Sequence, residues 1–358
     1  MEHVKRRAAA LELAAEAGVD VLLVTKITHI RYLTGFTGTA GVLLLAPEPV
    51  LVVDFRYGAQ ARQQVEGVEV DGDCAPPRLW ATAVDRLTAR RAARVGVDTR
   101  NLTAEQYLAL VSAVGAERLI DCAGLVEGLR AVKDADEIAA LTDAAALAEE
   151  LVRRLPEWLR PGRPENEIAG EIEFAQRHLG AERSAATILV SSGERSTMPH
   201  GAASDKPLRM GEPVLVDLSP VVRGYRADIT RTFHLGPASP EYRRLHQAVT
   251  EAHDEAMAAV HAGVRASAVD AVARGVLARY ELDGFFNHSL GHGIGLDQHE
   301  PPLLSPYDDT ILRAGMVVMI EPGVYVPGVG GTRIENAVVV TESGCTPLTT
   351  SDTGIREL

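Results

Sequence analysis

Short apolar runs and amphipathic stretches alternate in the first part of the chain, and this pattern predicts an α/β domain. Apolar runs bounded by Gly or Pro predict strands at residues 21–24, 42–45, 50–53 and 94–97. Helical spacing of apolar residues predicts helices at residues 3–17, 55–65, 79–93 and 103–114. We expect Thr103 to cap the last of these helices, because Gln106 follows it as in a capping box.

The pattern changes near Gly124, where strands begin to occur in pairs and helices in groups. Ala- and Leu-rich stretches predict helices at residues 134–159, 165–179, 240–262 and 267–282. Ser267 is the expected cap of the last helix. Apolar runs predict strands at residues 187–190, 214–218, 227–233, 317–321 and 332–340. This arrangement is typical of an α+β domain with an antiparallel sheet, so the sequence predicts two domains, at residues 1–126 and 127–358.

Four carboxylates lie in or beside the apolar strands of the second domain. Asp217 is inside one strand, and Asp228 follows after a segment that contains Gly224. Glu321 ends a later strand, and Glu335 follows after a segment rich in Gly and Pro. A lone buried carboxylate is costly, so acids in apolar strands indicate a partner. Two strand pairs can bring the four acids to one point, where two divalent cations would cancel their mutual repulsion.

A segment rich in histidine and glycine, residues 287–302, adds nitrogen ligands. His288, His292 and His299 lie in it, interleaved with glycines that let the backbone approach a bound group closely. A neutral imidazole can bind a metal or exchange a proton near neutral pH. Oxygen-rich ligation with one imidazole favours Mn, Co or Zn. Each of these residues alone has an ordinary explanation as a turn, cap or hydrogen-bonding residue, so the metal prediction depends on the complete set.

Composition narrows the choice of partners and compartment. The formal net charge of −13 disfavours nucleic acid and anionic membranes as partners. No apolar run approaches the ~20 residues of a membrane span. The 3 cysteines are isolated and odd in number, which fits a reducing compartment and argues against a thiolate zinc site. We therefore expect a cytoplasmic protein with no nucleic-acid or membrane partner.

Several motifs carry a resemblance that extends over essentially the whole chain. They are Met-Pro-His-Gly at 198–201, Asp217 with Asp-Ile-Thr-Arg-Thr-Phe at 228–233, His-Ser-Leu-Gly-His-Gly-Ile-Gly-Leu-Asp-Gln-His-Glu-Pro-Pro at 288–302, Ile-Glu-Pro-Gly at 320–323 and Gly-Gly-Thr-Arg-Ile-Glu-Asn at 330–336. In order and spacing they resemble the pita-bread metallopeptidases, in the branch of Xaa-Pro aminopeptidase (aminopeptidase P) and Xaa-Pro dipeptidase (prolidase). The resemblance implies a creatinase/prolidase-like α/β N-terminal domain. It also implies an α+β catalytic domain of the pita-bread (creatinase/aminopeptidase) fold with an antiparallel sheet.

The resemblance also implies a site with two divalent metal ions, with Mn²⁺ preferred and Co²⁺ or Zn²⁺ as alternatives. The implied metal ligands are Asp217, Asp228, His292, Glu321 and Glu335. Water activated between the metals would attack the peptide carbonyl, with Glu321 relaying its proton. The implied substrate-binding residues are His200, His288, His299 and Arg333, of which His200 and His299 would also assist catalysis. Arg333 shares a strand face with Glu335, and we expect it to orient the carboxylates.

The N-terminal segments 32–41 and 54–57 favour a Xaa-Pro aminopeptidase, which removes the residue before a proline in second position. Xaa-Pro dipeptidase is the alternative, and a metal-free creatinase-like hydrolase is disfavoured because all the ligands are present. Peptides with a Xaa-Pro N-terminus and a homodimer are the implied partners. The chain departs from its relatives at Ser219, where Asp-Leu-Gly is usual, and at Val222, where an aromatic residue is often found. Both changes lie between the aspartates and bear on substrate preference.

Overall fold

A computed structural model describes residues 2–358, and its contacts divide the chain into units Met1–Arg130 and Ala131–Leu358. The helices of the first unit are α1 (Glu2–Glu16), α2 (Ile27–Thr34), α3 (Gly58–Gln64), α4 (Leu79–Ala89), α5 (Ala104–Val114) and α6 (Leu125–Ala131). Its strands are β1 (Val21–Val24), β2 (Val42–Leu45), β3 (Val50–Asp54), β4 (Glu69–Cys74), β5 (Val95–Val97) and β6 (Leu119–Asp121). No helix among residues 2–358 combines the length and the apolar character needed to cross a membrane.

The first unit contains a mixed six-stranded sheet in the order β4-β3-β2-β1-β5-β6. Strands β1, β2 and β3 pair antiparallel, whereas β5, β6 and β4 add in parallel. Strands β1, β2, β3 and β5 are buried along their whole length, which explains why they appear in the sequence as continuous apolar runs. The predicted capping box is present. The Thr103 hydroxyl accepts from the Gln106 backbone amide, and the Gln106 side chain accepts from the Thr103 backbone amide. The predicted α/β pattern is confirmed.

The second unit has four helices and many short strands. Its helices are α7 (Ala135–Trp158), α8 (Glu165–His178), α9 (Pro240–Ala259) and α10 (Ala266–Arg279). Its strands before α9 are β7 (Arg183–Ser184), β8 (Leu189–Ser192), β9 (Pro213–Leu218), β10 (Pro220–Val222), β11 (Tyr225–Arg226) and β12 (Ile229–His234). Its strands after α10 are β13 (Gly291–Gly293), β14 (Glu300–Leu304), β15 (Val317–Ile320), β16 (Gly323–Val326), β17 (Gly330–Arg333), β18 (Asn336–Val340), β19 (Cys345–Pro347) and β20 (Arg356–Glu357).

Two sheets of the second unit matter most for function. One has the order β20-β12-β9-β8, and the other has the order β14-β13-β15-β18-β19. Except for the parallel β12–β20 pair, their pairings are antiparallel. Helices α7 and α8 pack their apolar side chains against the first sheet, and α9 and α10 pack against the second. The predicted antiparallel α+β domain is confirmed.

Two local predictions are wrong. The run at residues 332–340 is not one strand, because the chain changes partner within it. Arg333 pairs with Gly323 in the β16–β17 hairpin, whereas Asn336 pairs with Ile320 of β15. Ser267 does not cap α10, because the helix begins one residue earlier, and its hydroxyl donates to Asp309 instead.

Candidate metal centre

A cavity of about 480 Å³ opens in the second unit, and all nine predicted site residues line it. They are His200, Asp217, Asp228, His288, His292, His299, Glu321, Arg333 and Glu335. Seven of them lie in a strand or directly beside one, whereas His200 and His288 lie in loop segments. The structure therefore brings these nine residues together around one cavity.

The two aspartates come from neighbouring strands of one sheet. Asp217 lies in β9 and pairs with Thr230 of β12. Asp228 immediately precedes β12 and is 6% exposed. Its Oδ1 accepts from the Ser219 hydroxyl at 2.7 Å. The antiparallel register thus brings together two acids that are separated by a turn in the sequence.

The two glutamates come from one strand pair of the other sheet. Ile320 of β15 pairs with Asn336 of β18, so Glu321 and Glu335 are the next residues on each side, where the pair ends. Glu335 is 1% exposed, and its Oε2 accepts from the Thr230 hydroxyl at 2.7 Å. This contact links Glu335 to the strand that follows Asp228.

His292 reaches the acids because its strand approaches β15 without side chains in the way. A Cβ on Gly291 would lie 1.8 Å from the Met319 carbonyl oxygen, so only glycine fits there. The His292 Nδ1 hydrogen-bonds the Gly293 carbonyl at 3.0 Å, which leaves Nε2 as the free nitrogen. That nitrogen lies 3.4 Å from Glu321 Oε1.

The electrostatics of this group are unfavourable without a cation. Burial raises the pKa of Asp228 well above its usual range, and the charge of Asp217 raises it further. Burial and the neighbouring Asp228 do the same to the pKa of Glu335. Burial together with the Glu335 charge raises the pKa of Glu321. The ionised forms of these acids therefore need a positive charge among them.

The donor set fits a divalent metal ion. One ligand atom each from Asp228, His292 and Glu335 lie within 4.8 Å of one another, and all three residues are buried. Burial lowers the pKa of His292 to about 3, so its imidazole is neutral and available as a ligand near neutral pH. Carboxylate oxygens with one imidazole suit Mn, Co or Zn.

Arg333 is buried beside the acids and donates a hydrogen bond to Asp217. Its guanidinium donates to Asp217 Oδ2 at 2.5 Å, to the Thr230 hydroxyl at 3.0 Å and to the Pro199 carbonyl at 3.0 Å. Although burial opposes it, the nearby Tyr325 and Asp217 raise the pKa of Arg333, so the group stays charged. Of the four acids, Asp217 therefore accepts a direct hydrogen bond from Arg333.

Tyr325 is a site residue that sequence reasoning missed. Its hydroxyl accepts from Arg333 Nη1 at 3.0 Å and contacts His288 Nε2 at 3.1 Å. The hairpin register could have revealed it: Gly323 pairs with Arg333, and Tyr325 lies two positions along on the same face. The strand β16 was not predicted, because its four residues lie within the Gly- and Pro-rich segment between Glu321 and Glu335.

The remaining histidines lie toward the open part of the cavity. The His299 ring contacts the His292 ring edge-on, with centroids 4.2 Å apart. His200 and His299 are both exposed on the cavity wall. His288 is half-buried, and burial lowers its pKa to about 4. These three histidines line the part of the cavity that lies next to the acids.

Comparison with known proteins identifies the class to which this architecture belongs. The model of metallopeptidase family M24 matches residues 139–342, and the model of the creatinase/prolidase N-terminal domain matches residues 6–132. The peptidase YqhT of Bacillus subtilis (strain 168) is 36% identical over 340 residues, which cover 95% of this chain and 96% of that protein. The chain therefore belongs to metallopeptidase family M24, and the predicted resemblance and pita-bread fold are confirmed.

Solved structures and a further relative indicate its nearer neighbours. A Xaa-Pro dipeptidase from Bacillus anthracis has a TM-score of 0.94 at 35% identity, covering 99% of this chain and 100% of that chain. An X-Pro aminopeptidase from Thermotoga maritima MSB8 has a TM-score of 0.92 at 32% identity, covering 98% and 99%. A Xaa-Pro dipeptidase from Pyrococcus horikoshii is 38% identical over 234 residues, 65% of this chain and 66% of that protein.

Proposed function

We propose that this protein is a metal-dependent Xaa-Pro dipeptidase. The observation that carries the proposal is the buried group of Asp228, His292 and Glu335 in a chain of family M24. Similarity to Xaa-Pro dipeptidases from Bacillus anthracis and Pyrococcus horikoshii supports dipeptide substrates. This choice departs from the sequence preference for an aminopeptidase, because dipeptidases dominate the similar proteins. Xaa-Pro aminopeptidase stays the second candidate, supported by the similarity to the Thermotoga maritima enzyme.

We propose that catalysis resides in residues 127–358 and that five side chains hold two divalent ions. They are Asp217, Asp228, His292, Glu321 and Glu335. Bound divalent ions would supply positive charge that polarises a carbonyl and acidifies water. Among the four proposed acidic ligands, Asp228 and Glu335 are the two that are buried, so their charges would most need a bound cation. Mn²⁺ is the preferred ion in this proposal, with Co²⁺ and Zn²⁺ as alternatives.

The remaining residues would act on substrate and proton. The Glu321 side chain is 17% exposed and borders the cavity, so we assign it the proton exchange with water and the leaving nitrogen. His299 and His200 line the open wall, where they can donate hydrogen bonds to the polarised carbonyl and to the substrate carboxylate. His288 and Arg333 would position the substrate. The Tyr325 hydroxyl contacts both of them and would hold their side chains in place.

A substrate-length experiment tests the proposal. The purified protein, loaded with Mn²⁺, is incubated with a Xaa-Pro dipeptide and with the matching Xaa-Pro-Xaa tripeptide, and the products are quantified by chromatography. Cleavage of the dipeptide with little turnover of the tripeptide is the expected result. Preferential cleavage of the tripeptide would instead establish the aminopeptidase. Activity that persists after complete chelation would exclude both metal-dependent proposals.

We also propose a cytoplasmic homodimer. The cysteines Cys74, Cys122 and Cys345 are all free, which suits a reducing compartment. The dimer follows from the family resemblance, and light scattering coupled to gel filtration measures it. A mass near the 38.3 kDa of one chain would contradict the dimer.

A further inference from the structure

Asp228 is held by two polar side chains that the proposed chemistry does not use. Its Oδ1 accepts from the Ser219 hydroxyl at 2.7 Å, and its Oδ2 accepts from the Gln298 amide. The same Gln298 amide also donates to the Ser219 hydroxyl oxygen at 3.1 Å. The three side chains therefore form a closed set of hydrogen bonds, and both oxygens of the carboxylate have a donor.

The backbone fixes the position of the Ser219 hydroxyl. Ser219 is 3% exposed and joins β9 to β10, which belong to different sheets. Its carbonyl accepts from the Ala185 amide at 2.7 Å. The backbone at Ser219 is therefore fixed, and the hydroxyl favours one orientation of the Asp228 carboxylate.

We propose that Ser219 and Gln298 are positioning residues that hold the Asp228 carboxylate in its metal-binding orientation. Asp228 Oδ2 lies 3.9 Å from His292 Nε2, so the held orientation already faces the other ligands. A carboxylate fixed in advance loses less rotational freedom when an ion binds. Without Ser219, Oδ1 would be a buried acceptor with no donor, and the group would turn to find one. The inference rests on the metal dependence proposed above.

The test measures ion binding directly, so it does not need turnover. Metal-free protein is titrated with Mn²⁺, and the free ion is followed by its electron paramagnetic resonance signal. Ser219→Ala should raise the apparent Kd by about tenfold to a hundredfold, the usual cost of losing a group that orients a metal ligand. Gln298→Met, which keeps the side-chain length but removes the donor, should also raise it.

Ser191→Ala is the matched control. Ser191 is a serine of β8 that is 1% exposed, and its hydroxyl has no hydrogen-bond partner among residues 2–358. The control should bind Mn²⁺ as the wild type does, and a loss as large as that of Ser219→Ala would overturn the positioning role. A Kd within twofold of wild type in both Ser219→Ala and Gln298→Met would overturn it as well. Wild-type protein that binds no divalent ion would instead overturn the metal assignment itself.

Discussion

Residues of the same type in the site differ in the groups that they contact and in their exposure. His292 and His288 both carry a lowered pKa, yet His292 aims its free nitrogen at carboxylates, whereas His288 contacts the Tyr325 hydroxyl. Glu321 and Glu335 sit at the end of one strand pair, but only Glu321 keeps an appreciable exposed fraction. The chemical role of each side chain therefore follows from its neighbours rather than from its residue type.

The role of Glu321 is tested by Glu321→Gln. The amide keeps the shape of the side chain but cannot accept a proton, so kcat should fall by about a hundredfold or more. Far-ultraviolet circular dichroism should be unchanged, because the backbone bond from Glu321 to Leu290 does not involve the side chain. Full activity in the variant would remove Glu321 from the reaction.

The buried state of His288 makes a pH prediction for the metal-free protein. Its pKa of about 4 in the folded chain lies below the ordinary value of 6.5, so the unfolded chain binds the proton more tightly. The stability that His288 contributes is complete above pH 6.5 and is lost as pH falls toward 4. Denaturant titrations of His288→Gln should show a slope of unfolding free energy against pH that is smaller by up to about 1.4 kcal/mol per pH unit in this window. Equal slopes in the variant and the wild type would contradict the assignment.

At the scale of elements, the sequence predicted where strands lie better than it predicted how they pair. The segments that become β9 and β15 are apolar except for Asp217, and the strands predicted there are present. The single strand expected at residues 332–340 is two strands, and every residue from Gly331 to Val340 is buried, so no exposed position marks the change of partner between Arg333 and Asn336. Ser267 shows the opposite error, since a good capping residue bonds a side chain from elsewhere.

The same limit applies to the site. Seven of the nine residues were singled out by their own pattern, as acids in or beside apolar strands or as glycine-spaced histidines, whereas His200 and Arg333 came from the family resemblance. Tyr325, Ser219 and Gln298 were not named as site residues, because the contacts of Tyr325 and Ser219 depend on strand register and that of Gln298 joins segments far apart in the sequence. Periodicity reports which face of a strand is buried, and it does not report what that face touches.

The close approach of β13 and β15 predicts a large effect from one methyl group. In Gly291→Ala the new Cβ would collide with the Met319 carbonyl, so the strands must separate at a cost of about 1–3 kcal/mol. Thermal unfolding measures the loss, and His292 should move with its strand, weakening Mn²⁺ binding. Gly344→Ala is the control, because nothing lies within 4 Å of a Cβ there. Equal melting temperatures for the two variants would show that the strands yield freely.

At the scale of the whole catalytic unit, the site joins sheets that otherwise have separate cores. Asp217 and Asp228 come with the β9–β12 pair, and Glu321 and Glu335 come with the β15–β18 pair. Their helices pack into two different apolar clusters. An ion bound by residues of both strand pairs should therefore stabilise the packing of the two sheets, in addition to its role in catalysis.

Metal removal tests this coupling. Free Mn²⁺ at a hundred times its Kd should add about 2.7 kcal/mol to the unfolding free energy of the metal-free protein. Differential scanning calorimetry with and without the ion measures the shift. Glu335→Gln should lose most of that gain, since it removes a ligand from the buried group. A shift of equal size in Glu335→Gln would mean that the ion binds elsewhere.

The wide spacing of the ligands along the chain has a consequence for biosynthesis. The set begins at Asp217 and is completed only at Glu335, on the second of the two sheets. A nascent or truncated chain that ends before Glu335 lacks this carboxylate and also lacks β18, which leaves β13 as the remaining partner strand of β15. Such a chain cannot assemble the peptidase. With the proposed metal centre, hydrolytic activity would therefore begin only after translation has passed Glu335.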